Sequence, residues 1–128
     1  MEEKSVIVIY EKEIKLNQIL KEQLSVPDIY QIHETTDEKN VIELIETLKI
    51  NLLILNLNNI SENLKKFLEK LTFKNNLIKS LGYYNKDYHF INIEKMEITL
   101  LEKPFKVSRL LKELEKLLST KNIKYSDI

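Results

Sequence analysis

Along its length the chain carries five short runs of apolar, often β-branched residues, each followed by a longer stretch, and in four of those stretches apolar positions recur every three or four residues. That alternation is the strongest constraint on the fold. Strands regularly interleaved with helices imply parallel strands joined by right-handed crossovers, with helices covering both faces of one sheet. Ser5 to Tyr10 (Ser-Val-Ile-Val-Ile-Tyr) and Asn51 to Leu57 (Asn-Leu-Leu-Ile-Leu-Asn-Leu) are apolar almost throughout, as expected of strands buried on both sides. Ile29 to His33, Leu77 to Leu81 and Ile98 to Leu101 supply the other three strands.

Between them lie the helical stripes. Ile14, Leu16, Ile19, Leu20 and Leu24 follow the first strand, and Val26-Pro27 ends that segment. Val41, Ile42, Leu44, Ile45 and Leu48 follow a Thr36 or Asp37 cap, and Leu64, Phe67, Leu68 and Leu71 follow a Ser61 cap. Tyr84 to Met96 has no clean period and reads as a short helix and loop. Val107, Leu110, Leu111, Leu114 and Leu117-Leu118 mark a final amphipathic helix. The expected fold is α/β, a doubly wound five-stranded parallel sheet with helices on both faces.

A length of 128 residues suits one domain, and a composition 43% hydrophobic and 31% charged suits a globular one. Residues 1–119 are expected to form the domain, with 120–128 a polar tail or linker. Twenty basic residues balance twenty acidic ones, so no bulk charge draws the chain to nucleic acid or an anionic membrane. Cysteine is absent, which removes disulfides, thiolate metal sites and thiol catalysis. The charged start and the short Val6 to Ile9 run fall below a signal-peptide core and the ~20 apolar residues of a membrane span, so a cytoplasmic location is expected.

Doubly wound sheets place their sites outside the carboxyl ends of the strands. Those ends are expected at Tyr10-Glu11, Asn56-Leu57, Ser80-Leu81-Gly82 and Lys103-Pro104. With Lys103-Pro104-Phe105 closing strand five and Leu81-Gly82-Tyr83 following strand four, the chain resembles the response-regulator receiver family of two-component signalling over Lys4 to Ser119. The resemblance implies a phosphoacceptor position at Asn56, an acidic metal-holding pair at Tyr10 and Glu11, a hydroxyl position at Leu81 and the lysine at Lys103. Of these, only Glu11 and Lys103 keep the residue type that the chemistry needs. An amide cannot form an acyl phosphate, and magnesium, commonly anchored by one or two carboxylates among its oxygen ligands, would find Glu11 nearly alone. The switch position usually held by an aromatic falls on Leu100.

The expectation is therefore a pseudo-receiver: a signalling module, not an enzyme, without cofactor or metal. It would act through protein partners such as a kinase, an output domain or a second copy in a homodimer. Lys103 is expected to pair with Glu11 or hydrogen-bond to Asn56. Ser80 replaces the lost hydroxyl only if strand four shifts by one residue, which also exchanges its faces. Tyr83, Tyr84, Tyr88 and Phe90 either pack under an aperiodic segment or form a partner surface. Lys106, Lys112 and Lys116 alternate with Glu113 and Glu115 and read as a solvated face. His33 and His89 lack metal-ligand spacing. Two other functions remain open: an atypical receiver still phosphorylated in a phosphorelay, and a flavodoxin-like nucleotide- or cofactor-binding domain. Against the latter, Gly82 is the sole glycine and no phosphate-binding glycine loop follows any strand.

Overall fold

A computed structural model describes residues 4–26, 28–73, 79–85 and 98–126; for 71–73 and 119–126 only the backbone course is described. Five strands, β1 (Ser5–Tyr10), β2 (Tyr30–Thr35), β3 (Leu52–Asn56), β4 (Lys79–Tyr84) and β5 (Ile98–Glu102), form one parallel sheet in the order β2-β1-β3-β4-β5. The helices are α1 (Ile14–Ser25), α2 (Glu38–Thr47), α3 (Glu62–Phe73) and α4 (Val107–Ser126), with a 3-10 turn at Leu57–Asn59. The helix expected between β4 and β5 falls, past Asn85, outside the described residues. The doubly wound parallel sheet is the architecture that the alternation requires.

Strand periodicity divides the core in two. Val8, Tyr10, Leu53 and Leu55 face Val41 and Ile45 of α2 and Leu64 and Leu68 of α3. Ile7, Ile9, Leu52, Ile54, Leu81 and Tyr83 face Leu20 and Leu24 of α1 and Leu110 and Leu114 of α4. β1 and β3 bury side chains on both faces, which explains their unbroken apolar sequence. Asp37 caps α2, its Oδ1 accepting from the Lys39 N–H at 3.1 Å, and the Ser61 Oγ accepts from the Leu64 N–H at 3.2 Å to cap α3. Of the apolar positions assigned to α1, Leu20 and Leu24 are buried whereas Ile14 and Ile19 are exposed.

Two boundaries differ from the sequence reading. β4 begins at Lys79 and runs to Tyr84, so Ser80, Leu81 and Gly82 lie inside the strand and not at its end. α4 continues past Leu118 to Ser126, into the segment read as a tail, since neither proline nor glycine follows Leu118 to stop it.

Candidate functional site

The carboxyl ends of β1, β3 and β4 converge above the α1/α4 face of the sheet. Residues two apart on a strand share a face, so the row Ile7, Ile9 continues to Glu11, Ile54 to Asn56, Leu81 to Tyr83 and Leu101 to Lys103. Glu11, Asn56 and Tyr83 are thus delivered to one place by three parallel strands, and the register sets Asn56 beside Tyr83.

At the centre is the Glu11 carboxylate, 1% exposed. Its Oε1 accepts from Asn56 Nδ2 at 2.9 Å and from the Tyr83 hydroxyl at 2.5 Å. Its Oε2 accepts from the Glu13 N–H at 2.8 Å, at the N-cap of α1, where the positive end of the helix dipole favours a carboxylate. The other side of Asn56 is also engaged: its Oδ1 accepts from the Asn58 N–H at 3.1 Å and shapes the 3-10 turn. Burial, followed by the hydrogen bond to Glu11 and then the charges of Glu11 and Glu13, pushes the Tyr83 phenol well above its ordinary pKa, so it stays a donor.

Lys103 does not occupy the place expected for it. Among the described residues it makes neither an ion pair with Glu11 nor a hydrogen bond to Asn56; its Nζ lies 4.9 Å from the centroid of the Tyr83 ring. The Tyr83 hydroxyl, not the ammonium, reaches the buried carboxylate. Phe105 meets the same ring edge-on, with centroids 5.6 Å apart, just beyond the cis Lys103–Pro104 peptide bond.

Tyr10 and Glu11 are neighbours in sequence but face opposite sides of the sheet. Tyr10 points to the α2/α3 face, where its hydroxyl donates to the Asn59 carbonyl at 3.3 Å and lies 3.5 Å from Glu38 Oε2. Glu38 in turn accepts from the Ser61 N–H at 2.8 Å and from the Ser61 hydroxyl, tying the starts of α2 and α3 together. The Tyr10 phenol is pushed up to about 12, first by burial and then by Glu38, Asp37 and Glu11. Tyr10 therefore belongs to this second network and not to a pair with Glu11.

The remaining candidates are distributed by the position of β4. Leu81 is buried in the α1/α4 core and pairs with Ile54; Ser80 pairs with Leu53 and Ile98, toward the start of the strand. Neither reaches the carboxyl end, and the hydroxyl found there belongs to Tyr83. Leu100 lies on the edge strand β5 and is 42% exposed. Tyr83 is fully buried and Tyr84 packs partly buried against the α2/α3 core, so these two do not make the exposed aromatic surface entertained for them. Tyr88 and Phe90 lie outside the described residues, as does His89. His33 on β2 lies with its Nε2 3.0 Å from Gln31 Nε2.

One contributor escaped sequence reasoning altogether. Asn17, 3% exposed, donates from Nδ2 to the Glu11 and Thr35 carbonyls, both at 3.0 Å, and so clamps the ends of β1 and β2 beneath the pocket. An asparagine breaking the apolar stripe of an amphipathic helix was the available signal. Among the described residues no cluster of three or more His, Cys, Asp or Glu is arranged to hold a metal ion, and no helix is long and apolar enough to cross a membrane.

No family model matches the chain, and no curated protein sequence does. Solved structures do. A signal receiver domain from Vibrio parahaemolyticus superposes with a TM-score of 0.76 at 20% identity, covering 94% of this chain and 95% of that one. The signal receiver domain of an HD domain-containing protein from Pseudomonas fluorescens gives 0.73 at 18%, covering 94% and 98%. A response regulator from Thermotoga maritima gives 0.72 at 14%, covering 91% and 98%. With a parallel sheet in the order β2-β1-β3-β4-β5, helices on both faces and superpositions that cover nearly the whole of these structures, this chain has the fold of a response-regulator receiver domain.

Proposed function

We propose that this chain is a pseudo-receiver, a two-component-type signalling module that works through protein contacts, without aspartyl phosphorylation or catalytic turnover. The observation that carries the proposal is the closed hydrogen-bonded set of Glu11, Asn56 and Tyr83. Asn56 stands at the end of β3 where a receiver would present its acceptor carboxylate, and its carboxamide offers no nucleophilic oxygen able to form an acyl phosphate. Its Nδ2 is turned toward Glu11, so the pocket side of the amide is a donor.

The donor set also fits magnesium poorly. The ion takes near-octahedral oxygen ligands, commonly anchored by one or two carboxylates. Among the described residues Glu11 is the one buried carboxylate, and both its oxygens already accept hydrogen bonds. Tyr83 fills the space beside it with a ring instead of a small hydroxyl.

The test is intact mass after incubation with acetyl phosphate or phosphoramidate and magnesium, run beside an Asn56→Asp variant. The native chain is expected to keep its unmodified mass. A phosphoryl adduct on the native chain that is lost to hydroxylamine or mild alkali would mean that an acyl phosphate forms, and the proposal would be wrong.

A further inference from the structure

β2 lies at one edge of the sheet and, among the described residues, pairs with β1 alone. The Thr35 carbonyl accepts from the Glu11 N–H at 3.2 Å, so the backbone of Thr35 faces β1. The N–H and C=O of one strand residue point to the same side, and the side alternates from residue to residue. Gln31, His33 and Thr35 therefore bond to β1, while Tyr30, Ile32 and Glu34 turn their N–H and C=O groups outward, where among the described residues these groups meet no partner. Strand edges are ordinarily blunted by lysine, proline or a bulge. β2, Tyr-Gln-Ile-His-Glu-Thr, carries neither residue, its register with β1 is unbroken, and Glu34 is its only acidic residue.

We propose that β2 pairs antiparallel with β2 of a second copy of this chain, about a two-fold axis at Ile32, so that two sheets become one. The side chains of the strand identify both the partner and the register. With Ile32 opposite Ile32 of the second copy, Tyr30 faces its Glu34 and Gln31 faces its His33. Phenol then meets carboxylate and amide meets imidazole, each contact repeated by symmetry. The Glu34 Oε1 takes the Lys21 ammonium at 2.9 Å, which leaves Oε2 for the phenol. Gln31 Nε2 and His33 Nε2 approach to 3.0 Å within one strand, and the antiparallel pair offers each the same kind of partner across the axis. Neighbouring axes fit worse. An axis at Gln31 sets that residue against itself and brings Asp28 toward Glu34; one at His33 sets the imidazoles against each other and Ile32 against a carboxylate. The axis at Ile32 also matches Tyr30, Ile32 and Glu34, the residues with outward backbone groups, with their own counterparts and with no others. The inference goes beyond the pseudo-receiver reading, since it stands on the strand edge and not on the pocket.

The test is sedimentation equilibrium of the full chain over a concentration series, with far-UV circular dichroism to check that each variant keeps its fold. A dimer that dissociates on dilution is expected. Gln31→Lys with His33→Lys sets like charges opposite each other on both sides of the axis and should weaken the dimer about tenfold or more. Gln31→Lys with His33→Glu sets opposite charges there and should restore it. Leu100→Lys with Glu102→Gln on β5 changes net charge as much as the first variant does and should leave the dimer unaltered. Amide exchange of the native chain gives a second readout: the Ile32 and Glu34 N–H groups should be protected in the dimer and exchange freely once it is diluted. A native chain that stays monomeric up to about 1 mM, a dimer indifferent to Gln31→Lys with His33→Lys, or one broken by the β5 substitutions would each overturn the assignment. Failure of Gln31→Lys with His33→Glu to restore the dimer would overturn the axis at Ile32. A monomeric chain leaves the phosphodonor result standing, and a phosphorylated native chain would overturn the pseudo-receiver reading while leaving the association measurement intact.

Discussion

Single side chains decide what the pocket can do, and Tyr10 and Tyr83 show how. Both phenols are buried beside carboxylates, and both are held protonated to higher pH than a free tyrosine. In the unfolded chain a phenol ionises near 10; in the folded chain Tyr10 does so at about 12. The folded state therefore retains a proton that the unfolded state has released, and the stability from the neutral phenol is present below pH 10 and is lost as pH rises through about 12. Tyr83 shifts in the same direction. Urea unfolding midpoints measured from about pH 9 to 11 should fall with pH, and Tyr10→Phe should flatten that slope, since it deletes one of the linked protons. Identical slopes for the native chain and the variant would show that Tyr10 is not held as described. Glu11 and Asn56 could be named from the sequence because strand ends locate sites in this fold. The role of Tyr83 could not, because it depends on where β4 stops.

At the scale of elements, that boundary is the instructive error. Lys79 interrupts the apolar run, and Gly82 followed by two tyrosines looks like the turn after a strand. Yet pairing with β3 and β5 carries the strand to Tyr84. Tertiary pairing overrides the local pattern here, and Gly82 owes its place to the neighbouring 3-10 turn. Leu57 lies directly over it: an added Cβ would stand 2.8 Å from Leu57 Cγ and Cδ1. Gly82→Ala should therefore destabilise the fold by roughly 1–3 kcal/mol through overpacking, read from denaturant unfolding. Leu57→Ala alone should cost about 2–5 kcal/mol through the cavity it leaves. Because each change relieves the other's fault, the double variant should lose less than the two single losses together. Strict additivity would mean that the two residues do not press on each other. α1, α2, α3 and the start of α4 were legible because their apolar stripes, and for α2 and α3 their caps, are local signals. The length of α4 was not, because no residue after Leu118 marks a stop.

The whole molecule is ordered from its centre outward. β1 and β3 lie inside the sheet with a hydrophobic cluster on each face, while β2 and β5 form its edges, and β5 carries the exposed Leu100. This is also why the fold was the most legible property of the sequence: two strands buried on both faces write nearly unbroken apolar runs, and their spacing leaves room only for crossover helices. The polar networks were harder to foresee because they form where strands far apart in sequence end together, as Glu11, Asn56 and Tyr83 do. Local stability should follow the same geometry, since amides whose release exposes both clusters can exchange only through global unfolding, whereas edge strands open locally. Hydrogen–deuterium exchange followed by mass spectrometry should find the slowest amides in Ile7 to Ile9 and Leu53 to Leu55, with β5 peptides exchanging earlier. If β5 exchanges as slowly as β3, a single cooperative unit spans the sheet, and the edge bearing Leu100 is as firmly held as the strands that build the pocket.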